Sequence, residues 1–103
     1  MSFRFTISND DVFDALSYAY KFAPRIFHED DIAESGIETL LNDRSMELSD
    51  WQYNFLIILL EQYQKNLLRK KKETPQGSIG YQHACKYLSV LEDLLATLEY
   101  TQS

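Results

Sequence analysis

Residues 48–72 read LSDWQYNFLIILLEQYQKNLLRKKK, and this stretch decides the fold. Ser49 is an N-cap candidate with Gln52 at the third helical position, and Leu48 and Tyr53 stand where a hydrophobic staple belongs. From Asp50 the helical pattern runs to Lys72, roughly 23 residues or about 35 Å at 1.5 Å per residue. Trp51, Phe55, Ile58 and Leu59 form one apolar stripe, and Leu56, Leu60, Tyr63 and Leu67 form another. Two stripes predict a helix buried over much of its circumference. Its last turns carry Lys65, Arg69, Lys70, Lys71 and Lys72, cations placed at the negative end of the helix dipole.

The segment Thr74-Pro75-Gln76-Gly77-Ser78 breaks that helix. Beyond it, Tyr81, Ala84, Leu88, Leu91, Leu95 and Leu98 alternate at spacings of three and four, a heptad-like register. The expectation is a second long helix folded back antiparallel on the first through a short loop. Toward the N-terminus, Ser8-Asn9-Asp10-Asp11 supplies cap residues and first-turn acids. Val12, Leu16, Ala19 and Ala23 then predict a first helix of about 12 residues, with Pro24 ending it or opening the next turn. Residues 29–42 read either as one helix or as two that break near Gly36, because Ser35-Gly36-Ile37-Glu38 also resembles a capping box. Asn42-Asp43-Arg44-Ser45 reads as a turn. Phe3, Phe5 and Ile7 alternate with polar residues, but the pattern is short and no second strand is evident. Residues 1–9 are therefore expected as an extended arm, laid on the helices or offered as an edge to another subunit.

The predicted fold class is all-α. It is a small helical bundle in one domain spanning residues 1–103, with two long antiparallel C-terminal helices and two or three shorter N-terminal ones. A chain of 103 residues cannot divide into two domains that each bury a core. The single cysteine excludes an internal disulfide and fits a reducing compartment. Met1–Ile7 lacks the apolar stretch of about 7 to 15 residues that a secretory signal needs. The longest apolar run, Phe55–Leu60, falls far short of the roughly 20 residues of a membrane span, so a cytoplasmic protein without an anchor is expected.

Sixteen acids against ten bases give a net charge of −6, unevenly spread. Residues 1–50 hold eleven acids and four bases, while residues 51–103 hold five acids and six bases. An acidic surface repels phosphate backbones in general and attracts basic partners. Glu29, Asp30, Asp31 and Glu34 are the candidate partner-binding carboxylates. Lys65, Arg69, Lys70, Lys71 and Lys72 are the candidate contact for nucleic acid or for an acidic partner, including the acidic half of a second copy.

Catalytic signals are missing. A carboxylate di-metal site needs Glu-x-x-His pairs on two helices, whereas His28 precedes its acids and His83 stands apart. In the His83-Ala84-Cys85 triplet the two side chains would point about 200° apart on a helix, so neither activates the other. No phosphate-binding loop or nucleophile elbow occurs, and Gly77-Ser78-Ile79-Gly80 follows a helix rather than a strand. No metal, cofactor or catalytic residue is expected. Seven tyrosines, six phenylalanines and one tryptophan make the chain rich in aromatics. Tyr18, Tyr20, Tyr53, Tyr81, Tyr87 and Tyr100 exceed what a small core can bury with satisfied hydroxyls, which points to a binding surface.

Leu48-Ser49-Asp50-Trp51 followed by Phe55-Leu56 resembles a helix opening in small phage- and plasmid-encoded proteins, roughly Leu-[Ser/Thr]-[Asp/Glu]-Trp-x-x-x-Phe-Leu. Those proteins continue into a second short helix, where this one runs on to Arg69–Lys72. The resemblance implies a mobile-element accessory protein that acts by binding. The expected function is thus an adaptor or inhibitor that docks sterically on a protein, with homodimerisation; the alternatives, in order, are a nucleic-acid accessory factor using residues 65–72 and a carboxylate-metal enzyme.

Overall fold

The computed structural model describes residues 2–102. It is mostly helical, with a small sheet that breaks the all-α expectation. Strand β1 (Ser2–Thr6) leads into helix α1 (Asp10–Phe22), followed by a 3-10 turn at Ala23–Arg25. Two short helices follow, α2 (Glu29–Ser35) and α3 (Ile37–Asp43), then strand β2 (Ser45–Ser49). The long helices α4 (Asp50–Glu73) and α5 (Ile79–Gln102) follow.

Each boundary has a local cause. Asn9 caps α1 by accepting from the Val12 N–H at 2.9 Å, and Asp10 and Asp11 occupy the positive end of its dipole. Gly36 separates α2 from α3 with φ = +74°, a conformation costly for any residue with a Cβ. A Cβ there would also come within 2.6 Å of Met46 Cε. Ser49 and Gln52 form the full capping box of α4: the Gln52 N–H donates to Ser49 Oγ, and the Ser49 N–H donates to Gln52 Oε1.

Of the arm expected at residues 1–9, Ser2–Thr6 are instead paired inside the chain, while Met1 lies outside the described residues. β1 runs antiparallel to β2, with Phe3 opposite Leu48 and Phe5 opposite Met46 on the inward face. Outside, Arg4 faces Glu47 at 3.7 Å and the hydroxyls of Thr6 and Ser45 meet at 3.1 Å. Apolar pairs within and polar pairs without fix the register, since a slip of one residue would invert both faces. The turn expected at residues 42–45 contracts to Arg44, which has φ = +63°. There its guanidinium covers the Phe13 ring at 4.5 Å and reaches Asp10 at 3.4 Å.

Helices α4 and α5 form the antiparallel hairpin that the sequence predicts. The Tyr53 hydroxyl, near the start of α4, donates to the Leu98 carbonyl near the end of α5 at 2.7 Å. At the other end, Lys71 sits over the Tyr81 ring at 5.8 Å. Ala84, Leu91, Leu95 and Leu98 of the heptad pattern are buried, joined by Tyr87 and Leu94. One contiguous core draws side chains from every element, with Leu16, Leu40, Leu48, Leu56, Leu59, Leu60, Leu67, Leu91 and Leu98 fully enclosed. No helix among the described residues is long and apolar enough to cross a membrane.

Candidate functional site

Helix α4 is buried on one side only. Phe55 and Leu59 are enclosed, but Trp51 and Ile58 of the same predicted stripe remain 46% and 47% exposed. Phe27, just before α2, stacks on Phe55 with ring centroids 4.4 Å apart, and Trp51 stacks on the same ring at 5.4 Å.

These residues belong to a longer line. Trp51, Phe55, Ile58, Gln62, Lys65 and Arg69 succeed one another at spacings of four, three, four, three and four. At about 100° per residue all six fall within about 40° of one line along the helix. Apolar at its start and cationic at its end, this line borders the outer face of α4: Trp51, Ile58, Lys65 and Arg69 are exposed on it, Gln62 is half-buried and Phe55 is buried.

The expected carboxylates flank the apolar end. Glu29, Asp30, Asp31 and Glu34 are all exposed on α2. Gln52 Nε2 donates to the Glu34 carbonyl at 3.1 Å, which fastens α2 beside Trp51. Asp30 lies 3.7 Å from His28 Nδ1, which also accepts the Asp30 N–H and so caps α2. Among the described residues no lysine or arginine pairs with these four carboxylates.

The expected basic run is divided by helix geometry. Lys65 and Arg69 lie on the outer face, Lys70 and Lys71 turn away from it, and Lys72 lies at its margin. A third cation joins the first two from a different element: Arg25, together with Phe22, Ile26, Gln62, Lys65, Asn66 and Arg69, lines a cleft of about 410 Å³. Phe22 and Ile26 supply its apolar lining, and Ile26 is 40% exposed. Asn66 is buried, and its Oδ1 accepts from Arg69 Nη2 at 2.8 Å, orienting that guanidinium. None of Arg25, Lys65 and Arg69 pairs with an acid among the described residues. Sequence reasoning missed Arg25 and Ile26 because they lie some forty residues away in the chain. The regular spacing from Trp51 to Arg69 was the available signal for the face itself.

A larger cleft of about 660 Å³ runs between β1 and α5, past Phe3, Phe5, Val90, Leu94 and Leu98. Its charged groups are mixed in sign and largely spoken for: Arg4 pairs with Glu47, and Asp11 pairs with Lys86 at 3.3 Å. The Asp11 carboxylate, by hydrogen bonding and by its charge, holds the Lys86 ammonium above its ordinary pKa.

The tyrosines divide: Tyr20 and Tyr81 are half-buried, and Tyr18 and Tyr100 are 37% and 83% exposed. Tyr53, Tyr63 and Tyr87 are buried, and Tyr18 packs edge-on against His83 and Tyr87 with centroids 4.9 and 5.2 Å away, joining α1 to α5. Burial, with smaller contributions from Tyr18 and Tyr87, pushes the Tyr63 phenol up to about 12. His83 is therefore a packing residue, and Cys85 beside it is half-buried. Among the described residues no three His, Cys, Asp or Glu side chains are grouped to hold a metal. No family model, curated protein or solved structure matches the chain.

Proposed function

We propose that this chain is a protein-docking module, an adaptor or inhibitor that acts by steric binding through the outer face of α4. The observation that carries the reading is the pair Trp51 and Ile58, two large apolar side chains half-exposed on one line of a rigid helix. Tryptophan is the residue most enriched among interface anchors, and a charged rim around an apolar centre is the usual anatomy of a binding surface. The rim at the Trp51 end consists of Glu29, Asp30, Asp31 and Glu34, so the facing surface is basic there. In this reading the helices form a small bundle that holds the face rigid. On the resemblance at residues 48–56, the module is a cytoplasmic mobile-element accessory protein.

A second reading is favoured by one observation, the convergence of Arg25 on Lys65 and Arg69 without acidic partners. Those three cations would contact phosphates of a nucleic acid. The track is short, because Lys70 and Lys71 leave the face.

One experiment separates the two. A photo-crosslinking residue at Ile58, with a control at the exposed Ser89 of α5, is activated in lysate of the source cell with and without nuclease. Nuclease-resistant crosslinks to protein at Ile58 and none at Ser89 are expected for docking. Crosslinks that vanish with nuclease, and with Arg25→Ala plus Lys65→Ala, would transfer the function to nucleic acid.

A further inference from the structure

The outer face of α4 is complementary to itself, and we propose that it docks a second copy of this chain, antiparallel about a two-fold axis passing near Leu60. The inference rests on the docking role of Trp51 and Ile58 argued above and names what covers them. The four-three spacing from Trp51 to Arg69 is the seam spacing of a coiled coil. Run antiparallel, the line opposes Trp51 to Arg69 and Ile58 to Gln62, each pair occurring twice, and brings Lys65 to the level of Phe55, which its own chain already buries beneath Phe27 and Trp51. Position numbers match in this register alone, so one arrangement satisfies the whole line.

Charge selects the same arrangement. Gln52 fastens the acidic helix α2 at one end of the face, and Arg25, Lys65 and Arg69 gather at the other. The two ends lie about 20 to 25 Å apart at 1.5 Å per residue. A two-fold axis between them lays the carboxylates of each copy on the cations of the other. Parallel packing would set acid on acid and cation on cation, at a cost of repulsion. Acids and cations alike lack ion-pair partners of opposite sign among the described residues, apart from the His28 contact of Asp30, so they are free to pair between copies.

Shape agrees as well. The cleft of about 410 Å³ is lined by Phe22 and Ile26 together with Arg25, Lys65 and Arg69, a lining that suits an indole approached by cationic groups. In the antiparallel register Trp51 of each copy enters the other's cleft, and the exposed Ile26 and Ile58 come under the same cover. The interface is isologous: each residue contact occurs twice.

Sedimentation equilibrium is expected to give twice the 12.1 kDa chain mass, dissociating on dilution and with rising salt. Trp51 is the sole tryptophan, so its emission should shift to the red as the dimer dissociates. Trp51→Ala should raise the dissociation constant by about tenfold or more, about 1.4 kcal/mol per decade. The decisive pair is a charge exchange on exposed residues. Arg25→Glu with Lys65→Glu, and separately Glu29→Lys with Glu34→Lys, should each give folded monomers by circular dichroism, and mixing the two should restore a dimer containing one of each. Folded variants that stay apart on mixing, or a wild type that remains monomeric to about millimolar concentration, overturn the dimer. A monomer that still crosslinks a different protein at Ile58 overturns the dimer and leaves docking standing. A monomer with no crosslink at Ile58 overturns both.

Discussion

Tyr63 shows what burial does to one side chain. Its phenol lies among Phe22 and the α4–α5 core, 5% exposed, and desolvation raises its pKa from 10 to about 12. The unfolded chain releases that proton near pH 10 and the folded chain only near 12, so the folded state binds more protons between them. Stability is therefore full below pH 10 and falls as pH rises toward 12, by on the order of 2 kcal/mol from this residue. Burial moves Tyr53 and Tyr87 in the same direction. Urea denaturation across that range, followed by helical circular dichroism, should show the midpoint fall, and Tyr63→Phe should flatten the decline. An equal slope in the variant would show that the ionisation of Tyr63 is not what destabilises the protein. The presence of tyrosines was plain from composition; their burial was not. Composition counts side chains, whereas solvation depends on which other elements close over them.

At the scale of elements, the helix starts were the most legible features because their signals are local. Ser49 and Gln52 are three residues apart, and their reciprocal bonds follow from that spacing. Ser49→Ala should cost about 1 kcal/mol in urea denaturation. A change below a few tenths would mean that β2 and the Tyr53 contact, rather than the cap, hold the start of α4. The choice between one helix and two at residues 29–42 fell to Gly36, whose positive φ closes against Met46. Strand β2 was harder to see. Ser45, Met46, Glu47, Leu48 and Ser49 do alternate, but five residues of alternation are weak evidence for a strand until a partner is known. That partner, β1, lies some forty residues away, and only the folded chain brings Phe3 to Leu48 and Phe5 to Met46.

For the whole molecule, the contrast that matters is between the inner and outer sides of α4. Leu60→Ala empties a fully enclosed site and should cost about 2 to 5 kcal/mol. Ile58→Ser, on the open line, should change the stability of the isolated chain by about 0.5 kcal/mol or less while weakening docking. Thermal or urea denaturation measured at high dilution checks both values. A large loss from Ile58→Ser would place that side chain in the fold rather than in an interface. The two stripes read from residues 51–67 thus had different fates. The stripe through Leu56, Leu60, Tyr63 and Leu67 met α5 and the N-terminal helices. The stripe through Trp51, Phe55, Ile58 and Leu59 was split, with Phe55 and Leu59 buried in the core and Trp51 and Ile58 left about half-exposed.

The sequence by itself determined the long helices, their antiparallel fold-back, the caps and the heads of α1 and α4. All of these depend on residues within about a turn of one another, or on a loop too short to allow another path. The tertiary structure alone decided that the N-terminal arm pairs with residues 45–49, that Arg25 joins Lys65 and Arg69, and that Trp51 stays in the open. Each of those outcomes depends on which distant segment arrives at a given surface and how far it reaches. Helical periodicity records that a face is apolar. Whether that face is covered is settled by the size and position of everything packed beside it.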